Sequence, residues 1–248
     1  MDVIYMLWLR QLKRYSRSRA RLIGGLGQPL LFLLALGFGF GPIFRRAGQG
    51  NYIQFLAPGV IAMTVLFTGI FSGIELIWDR QFGFLKETLV APVPRLLIML
   101  GRTLGGATVA VIQGLIVFVL CLFAGFRVAH LASVPLALLF MALIAIMFTA
   151  LGTAIASVLA DFQGFQLIMN FLVMPIFFLS GALFPLKNIP KALDVIAIVD
   201  PLSYGVDGLR SSAIGTAYFG MATDLVVLVA LSGVLLTIGS YLFSKIQL

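Results

Sequence analysis

Residues 131–160 carry no charged side chain. A helix needs about 20 predominantly apolar residues to cross a bilayer's hydrocarbon. Backbone in that layer must satisfy its own hydrogen bonds, and a single apolar run does so as a helix. This run is therefore a membrane span, and five more runs behave alike: 22–44, 52–78, 96–125, 165–184 and 225–243. The chain is 61% hydrophobic and only 10% charged, whereas a soluble domain is about half apolar and a quarter charged. The expected fold is an all-α integral membrane protein, one transmembrane domain over residues 1–248, with no room for a separate globular enzyme.

Several chemistries drop out early. The lone cysteine, Cys121, excludes a disulfide within the chain. With His130 as the one histidine, a zinc or haem site lacks ligands, so no metal or cofactor is expected in this chain. No Gly-x-x-x-x-Gly-Lys-Ser/Thr occurs, so no P-loop cradles a phosphate. Active transport would draw its energy from another chain or from an ion gradient. An intramembrane enzyme would need clustered catalytic groups, and an ion-coupled carrier would show acidic residues at the midplane. The spans hold only Glu75, near one edge.

Residues 1–21 read as a basic amphipathic helix. Val3, Ile4, Leu7, Trp8, Leu12 and Tyr15 recur at helical spacing, with Arg10, Lys13, Arg14, Arg17 and Arg21 on another face. Such a helix is expected to lie in the headgroup layer, apolar side down, with its cations near anionic lipid. A secretory signal is the alternative, but run 22–44 is longer than the roughly 7–15 residues of its apolar core and no small-residue cleavage site follows. Six spans put both termini on one side. Basic residues concentrate in the amino-terminal segment, the 79–102 stretch and Lys245, which predicts that side to be cytoplasmic.

Between spans two and three lies Asp79-Arg80-Gln81-Phe82-Gly83-Phe84-Leu85-Lys86-Glu87-Thr88-Leu89-Val90-Ala91-Pro92-Val93-Pro94-Arg95. It is too charged to cross the bilayer and reads as a short cytoplasmic helix over 79–95. Pro92 and Pro94 end it, each lacking an amide hydrogen and restricting its predecessor. Arg95 and Arg102 fall about two turns apart and are expected at the headgroups. Glu75 lies one helical turn before Asp79 and is expected to find a cation such as Arg80. Residues 185–223 form a long connector with Pro185, Pro190 and Pro201. Its apolar stretch 192–199 is too short to cross, so short re-entrant helices are expected. Asp207 and Arg210, three apart, are expected to pair. Gly-x-x-x-Gly pairs at 37–41, 69–73 and 101–105 permit close helix approach, but carry no assignment of a dimer face.

The chain resembles the permease subunits of ABC-2 type ABC transporters, among them the bacterial drug-resistance and Nod-factor-export permeases. Three segments carry the resemblance. The first is Phe55-Leu56-Ala57-Pro58-Gly59-Val60. The second is Asp79-Arg80-x-x-Gly83-x-Leu85-Lys86-Glu87-x-Leu89-x-x-Pro92-x-x-Arg95. The third is Phe178-Leu179-Ser180-Gly181-x-x-Phe184-Pro185 with Asp200-Pro201-Leu202-Ser203-Tyr204 and Asp207-Gly208-Leu209-Arg210. Family members often have Asn where this chain has Asp200.

The resemblance implies a homodimer working with two separate ATP-binding subunits, which would hold ATP and Mg. It implies an exporter in the inner (plasma) membrane moving a hydrophobic or amphiphilic substrate, drug-like or lipid-like. An exporter of a lipid-linked glycan or polysaccharide is the alternative. The 79–95 helix would couple to the ATPase through Asp79, Arg80, Phe82, Leu85, Lys86, Glu87, Leu89, Pro92 and Arg95, its apolar face in a cleft; the alternative is an ordinary charged loop. Glu75 would relay motion to the spans, or form a static ion pair. The substrate pathway would run between spans two and five, past Met63, Phe67, Phe71, Asn170, Met174, Phe177 and Phe178; any of these could instead face lipid or pack. Pro201, Tyr204, Asp207 and Arg210 would form an outer gate, or a plug that shapes the dimer.

Overall fold

In the computed structural model the described residues are 2–47, 50–85, 93–159, 161–187 and 189–246. Their regular structure is helical, with no strand among them. Helix α1 is Asp2–Arg17 and α2 is Arg19–Arg46. Span two is built from α3, Tyr52–Phe71, and α4, Ile74–Gln81. Span three is α5, Arg95–Phe123. Span four is α6, Val134–Val158, entered through a 3-10 turn at Leu131–Ser133. Span five is α7, Phe162–Ile168, which passes through a π turn at Met169–Val173 into α8, Met174–Leu179. The connector folds into α9, Lys191–Val199, and α10, Pro201–Ile214. Span six is α11, Met221–Ser244. Six helices are thus long and apolar enough to cross a membrane.

Helix starts follow the local chemistry. Asn51 caps α3, its side chain accepting from the Ile53 amide at 3.0 Å. Asp161 caps α7 in the same way, accepting from the Gly164 amide at 2.6 Å. A capping carboxylate satisfies one of the amides that a helix start leaves free. Span five therefore begins at Phe162 and ends at Leu179, where the sequence suggests 165–184.

Span two is the hub. Its apolar window is 78% buried, against 17% for span one, 22% for span five and 17% for span six. Spans three and four pack against it and the other three wrap the outside. The outward faces of those three are apolar, with Ile23, Leu31 and Phe38 on α2, Phe171 in the π turn, and Val226 and Tyr241 on α11 all exposed. This is the pattern of a chain whose solvent is hydrocarbon.

Small residues set the crossing of the central helices. A Cβ at Gly73 would run into the Gly152 carbonyl, and one at Gly152 into the Ile70 backbone. A Cβ on Gly106 would lie 2.7 Å from the Thr149 methyl. Backbones approach this closely in membranes only where side chains are missing. The break between α3 and α4 sits at this crossing, and beyond it Glu75 and Asp79 point towards α1.

Helix α1 spends much of its apolar side on protein. It packs against α5, and Gly101 and Gly105 seat it. A Cβ on Gly105 would lie 2.7 Å from the Gln11 Cγ, and one on Gly101 would lie 3.0 Å from the Leu7 Cβ. Trp8 Nε1 donates to Thr108 Oγ1 at 3.0 Å. The amphipathic helix expected over 1–21 is docked on α5, and it ends at Arg17 rather than residue 21. Amphipathic periodicity shows that one face is covered, not what covers it.

Candidate functional site

At the α1 end a cavity of about 480 Å³ lies between α1, the start of α2, span two and α5. Met63, Phe67 and Phe71 form one wall, with Trp78 and Phe162 nearby. These three span-two residues were selected by spacing as one face, and they do line one space. Its polar lining includes Tyr15, Arg21, Glu75 and Gln113. The Tyr15 hydroxyl donates to Gln113 Oε1. Gln113 Nε2 in turn donates to the Leu22 carbonyl at 3.3 Å. One side chain thus ties α1, α2 and α5 together.

A lattice of ion pairs borders this cavity. Glu75 accepts from Arg21, and its other oxygen lies 3.7 Å from Arg14. Asp79 Oδ2 pairs with Arg102 at 2.6 Å, and Oδ1 with Arg10 at 2.9 Å. Arg14 lies 3.6 Å from that same oxygen. Both carboxylates and Arg102 are buried, while the α1 arginines are only partly covered. Removing one member of a buried pair strands the other charge, at a cost of about 3–5 kcal/mol.

Three sequence expectations change here. Glu75 takes Arg21 and Arg14, not Arg80, because α1 folds back across the end of span two. Arg102 is not at the headgroups; it is 5% exposed and holds Asp79. Arg95 turns to span six, where its Nη1 donates to the Ser244 carbonyl at 2.8 Å and to Ile246 at 3.3 Å. Those are carbonyls that a helix end leaves without partners.

The coupling segment is described only at its start. Lys86, Glu87, Leu89 and Pro92 lie outside the described residues. Asp79 and Leu85 are buried within this chain, at 2% and 0% exposure, so neither offers a face to another protein. Phe82 and Phe84 are exposed, at 72% and 51%. Arg80 is partly exposed.

At the opposite end the connector is clamped onto spans two and five. Arg210 Nη2 donates to the Gly181 carbonyl at 3.0 Å and to the Phe55 carbonyl at 3.4 Å. Its guanidinium lies 4.0 Å from the centre of the Phe55 ring. Burial pulls the Arg210 pKa down to about 10, still cationic at neutral pH. The Tyr52 hydroxyl donates to the Leu183 carbonyl at 2.8 Å. A Cβ at Gly59 would strike the Ala182 backbone. The first and third sequence segments are therefore one packed unit.

The expected Asp207–Arg210 pair does not form. Asp207 instead accepts from the amides of Tyr218 and Phe219, each at 2.8 Å. Tyr204 stacks on Phe219, centroids 4.5 Å apart, and its hydroxyl donates to the Ile198 carbonyl at 2.7 Å. Pro201 occupies the first turn of α10, after the Asp200 cap.

The span-five candidates divide. Phe177 is fully buried and packs edge-on against Phe67 at 6.3 Å and Phe32 at 5.8 Å. Phe178 touches Phe177 but is 44% exposed. Asn170 is exposed, on the π turn, and Met174 is half-buried. None of the four lines the cavity. The residues that reasoning from sequence missed are Arg10, Arg14 and Arg21, assigned to lipid, and Gln113, not singled out. A glutamine within an otherwise apolar span was the available signal for the last.

Comparison with known proteins agrees with this architecture. A family profile described as the ABC-2 type transporter matches residues 2–214. The chain is 34% identical to a transport permease ycf38 of Pyropia yezoensis over 78% of this chain and 68% of that one. It is 29% identical to the ycf38 permease of Cyanophora paradoxa, over 84% of this chain and 72% of that one. It is 30% identical to Nodulation protein J of Rhizobium leguminosarum bv. trifolii, over 84% and 80% of the two chains. With six helices among the described residues long and apolar enough to cross a membrane, and a profile match along most of its length, the chain belongs to the ABC-2 type transporter family of multi-pass membrane permeases.

Proposed function

We propose that this chain is the membrane subunit of an ATP-driven exporter. Two copies would pair with two separate ATP-binding subunits, with both termini in the cytoplasm. The cargo would be a hydrophobic or amphiphilic small molecule taken from the cytoplasm or the inner leaflet. The observation that carries this reading is the cavity beside Glu75. It has an apolar wall of Met63, Phe67 and Phe71 and a polar end with Arg21, Glu75 and Gln113. An apolar pocket with a few convergent polar groups is the usual form of a small-ligand site, and Met with Phe makes an adaptable surface. Its volume suits a small amphiphile better than a lipid-linked polysaccharide. The cavity also abuts α4, the helix that leads into the coupling segment, so occupancy and coupling would share the Glu75–Asp79 lattice.

The test uses the permease reconstituted with its ATP-binding partner and a panel of amphiphilic dyes. Phe67→Trp and Phe71→Trp, which narrow the cavity, are expected to raise the dye concentration for half-maximal stimulation of ATP hydrolysis about tenfold, or about 1.4 kcal/mol of binding. Arg80→Glu is expected to lower dye-stimulated hydrolysis without loss of folded permease. Unchanged dye responses in both tryptophan variants would remove the cavity as the cargo site.

A further inference from the structure

A second concavity lies at the α1 end, apart from the cargo cavity. It is a groove of about 590 Å³ whose polar wall is Arg10, Lys13, Arg14 and Arg17. Met6, Leu9 and Phe84 complete its lining. Among the described residues no carboxylate lines it. Glu75 and Asp79 stand behind α1 and hold Arg10 and Arg14, but they are shared with Arg21 and Arg102. Lys13 and Arg17 are exposed and have no carboxylate partner among the described residues. Six basic side chains thus gather around two carboxylates, and the excess positive charge faces the groove.

Depth decides what can neutralise it. Ser18 separates α1 from span one, so Arg17 sits one residue from the break. That places the groove where a span enters hydrocarbon, the level at which a bilayer presents its phosphates. Basic clusters at the cytoplasmic end of a span attract anionic lipid for this reason. The apolar part of the groove fits the same occupant. Met6 and the neighbouring Tyr5 are exposed, at 64% and 57%, although the helix has already packed another face against α5. An acidic protein surface would leave those side chains wet, whereas a lipid brings its own chains to cover them.

We propose that this groove is a binding site for the headgroup of an anionic phospholipid. The phosphodiester sits between Lys13 and Arg17, and the acyl chains leave past Met6. Arg10 and Arg14 raise the local potential but stay engaged with Asp79 and Glu75. The site does not depend on the cargo reading, since it shares no side chain with the cargo cavity's lining.

The experiment is native mass spectrometry of the whole chain released from detergent, with dioleoylphosphatidylglycerol or dioleoylphosphatidylcholine added. The unaltered chain is expected to hold phosphatidylglycerol at least fivefold more tightly than phosphatidylcholine. The double variant Lys13→Gln, Arg17→Gln is expected to weaken phosphatidylglycerol about tenfold and leave phosphatidylcholine unchanged. Lys187→Gln with Lys191→Gln, which removes two cations from the connector, is expected to leave both affinities unchanged. Equal binding of the two lipids, or phosphatidylglycerol affinity within twofold of the unaltered chain in the double variant, overturns the site. Displacement of the lipid by free glycerol phosphate at equal concentration assigns the groove to a soluble anion and overturns the lipid. If the double variant keeps the lipid but loses a co-purifying ATP-binding subunit, the groove is a protein interface and the proposal fails.

Discussion

Asp200 shows how much one side chain in this fold can be asked to do. It caps α10 by accepting from the Leu202 amide at 2.8 Å, yet it is only 6% exposed and its other oxygen has no partner among the described residues. Burial pushes its carboxyl from 3.8 to about 7, against the lowering effect of the Leu202 and Ser203 amides. A folded-state pKa above the unfolded one means that the folded chain holds an extra proton between those values. The contribution to stability is complete below the unfolded pKa and is lost as pH rises through 7. Allowing for relaxation around the carboxyl, the loss is on the order of 2 kcal/mol, or about 4–8 °C in Tm for a chain of this size. The purified permease is therefore expected to melt that much lower at pH 8 than at pH 5. Asp200→Asn keeps the cap, since Asn caps as well as Asp, and is expected to weaken the pH dependence without abolishing it, because the buried, unpaired Asp224 remains. A variant as pH-dependent as the parent would place the titration elsewhere. Asp79 is as buried as Asp200, at 2% exposure, but both its oxygens are paired, Oδ1 with Arg10 and Oδ2 with Arg102.

Helices in this protein are located by what they lack as much as by what they carry. Gly101 and Gly105 are a Gly-x-x-x-Gly pair that the sequence offers without a partner. The structure spends them on α1, whose Leu7 and Gln11 occupy the space that side chains would fill. Gly105→Leu is expected to overpack this seam by about 1–3 kcal/mol, lowering the melting temperature and opening α1 to limited proteolysis. Gly24→Ala is the matched control, because nothing lies within 4 Å of a Cβ placed there. If the control is as damaging as Gly105→Leu, the seam does not hold α1. The connector follows a similar rule. Arg210 joins α10 to the start of span two and the end of span five through the Phe55 and Gly181 carbonyls. A short helix too short to cross the bilayer is thereby fixed to two that do.

At the scale of the molecule, span two is enclosed while spans one, five and six present apolar faces outward. The ion lattice lies at one end of this bundle and the Arg210 clamp at the other. Orientation in the membrane remains a prediction of charge: the α1 end should face the cytoplasm. Cysteine labelling checks it in a Cys121→Ala background. Lys187→Cys is expected to react with an impermeant maleimide in intact cells, and Ser16→Cys only after permeabilisation. The reverse pattern would invert the topology and place the basic groove on the outer side.

Six apolar spans, short helices in the connector and the family were legible in the sequence because apolar length and segment order are local properties. The wall of Met63, Phe67 and Phe71 was legible for the same reason, since helical spacing alone puts them on one face. The partners were not. Glu75 was expected beside Arg80, five residues away, and met Arg21 and Arg14 instead; Arg95 and Arg102 were expected at the headgroups, and one caps span six while the other holds Asp79. An unsatisfied charge in a low-dielectric interior takes the nearest counter-charge in space, and neither spacing nor periodicity reveals what lies across a helix–helix seam. The sequence by itself determined that six segments are long and apolar enough to cross a membrane. Only the tertiary structure decided that α1 lies on span three, through a seam of missing side chains, and so brought its arginines to Glu75 and Asp79.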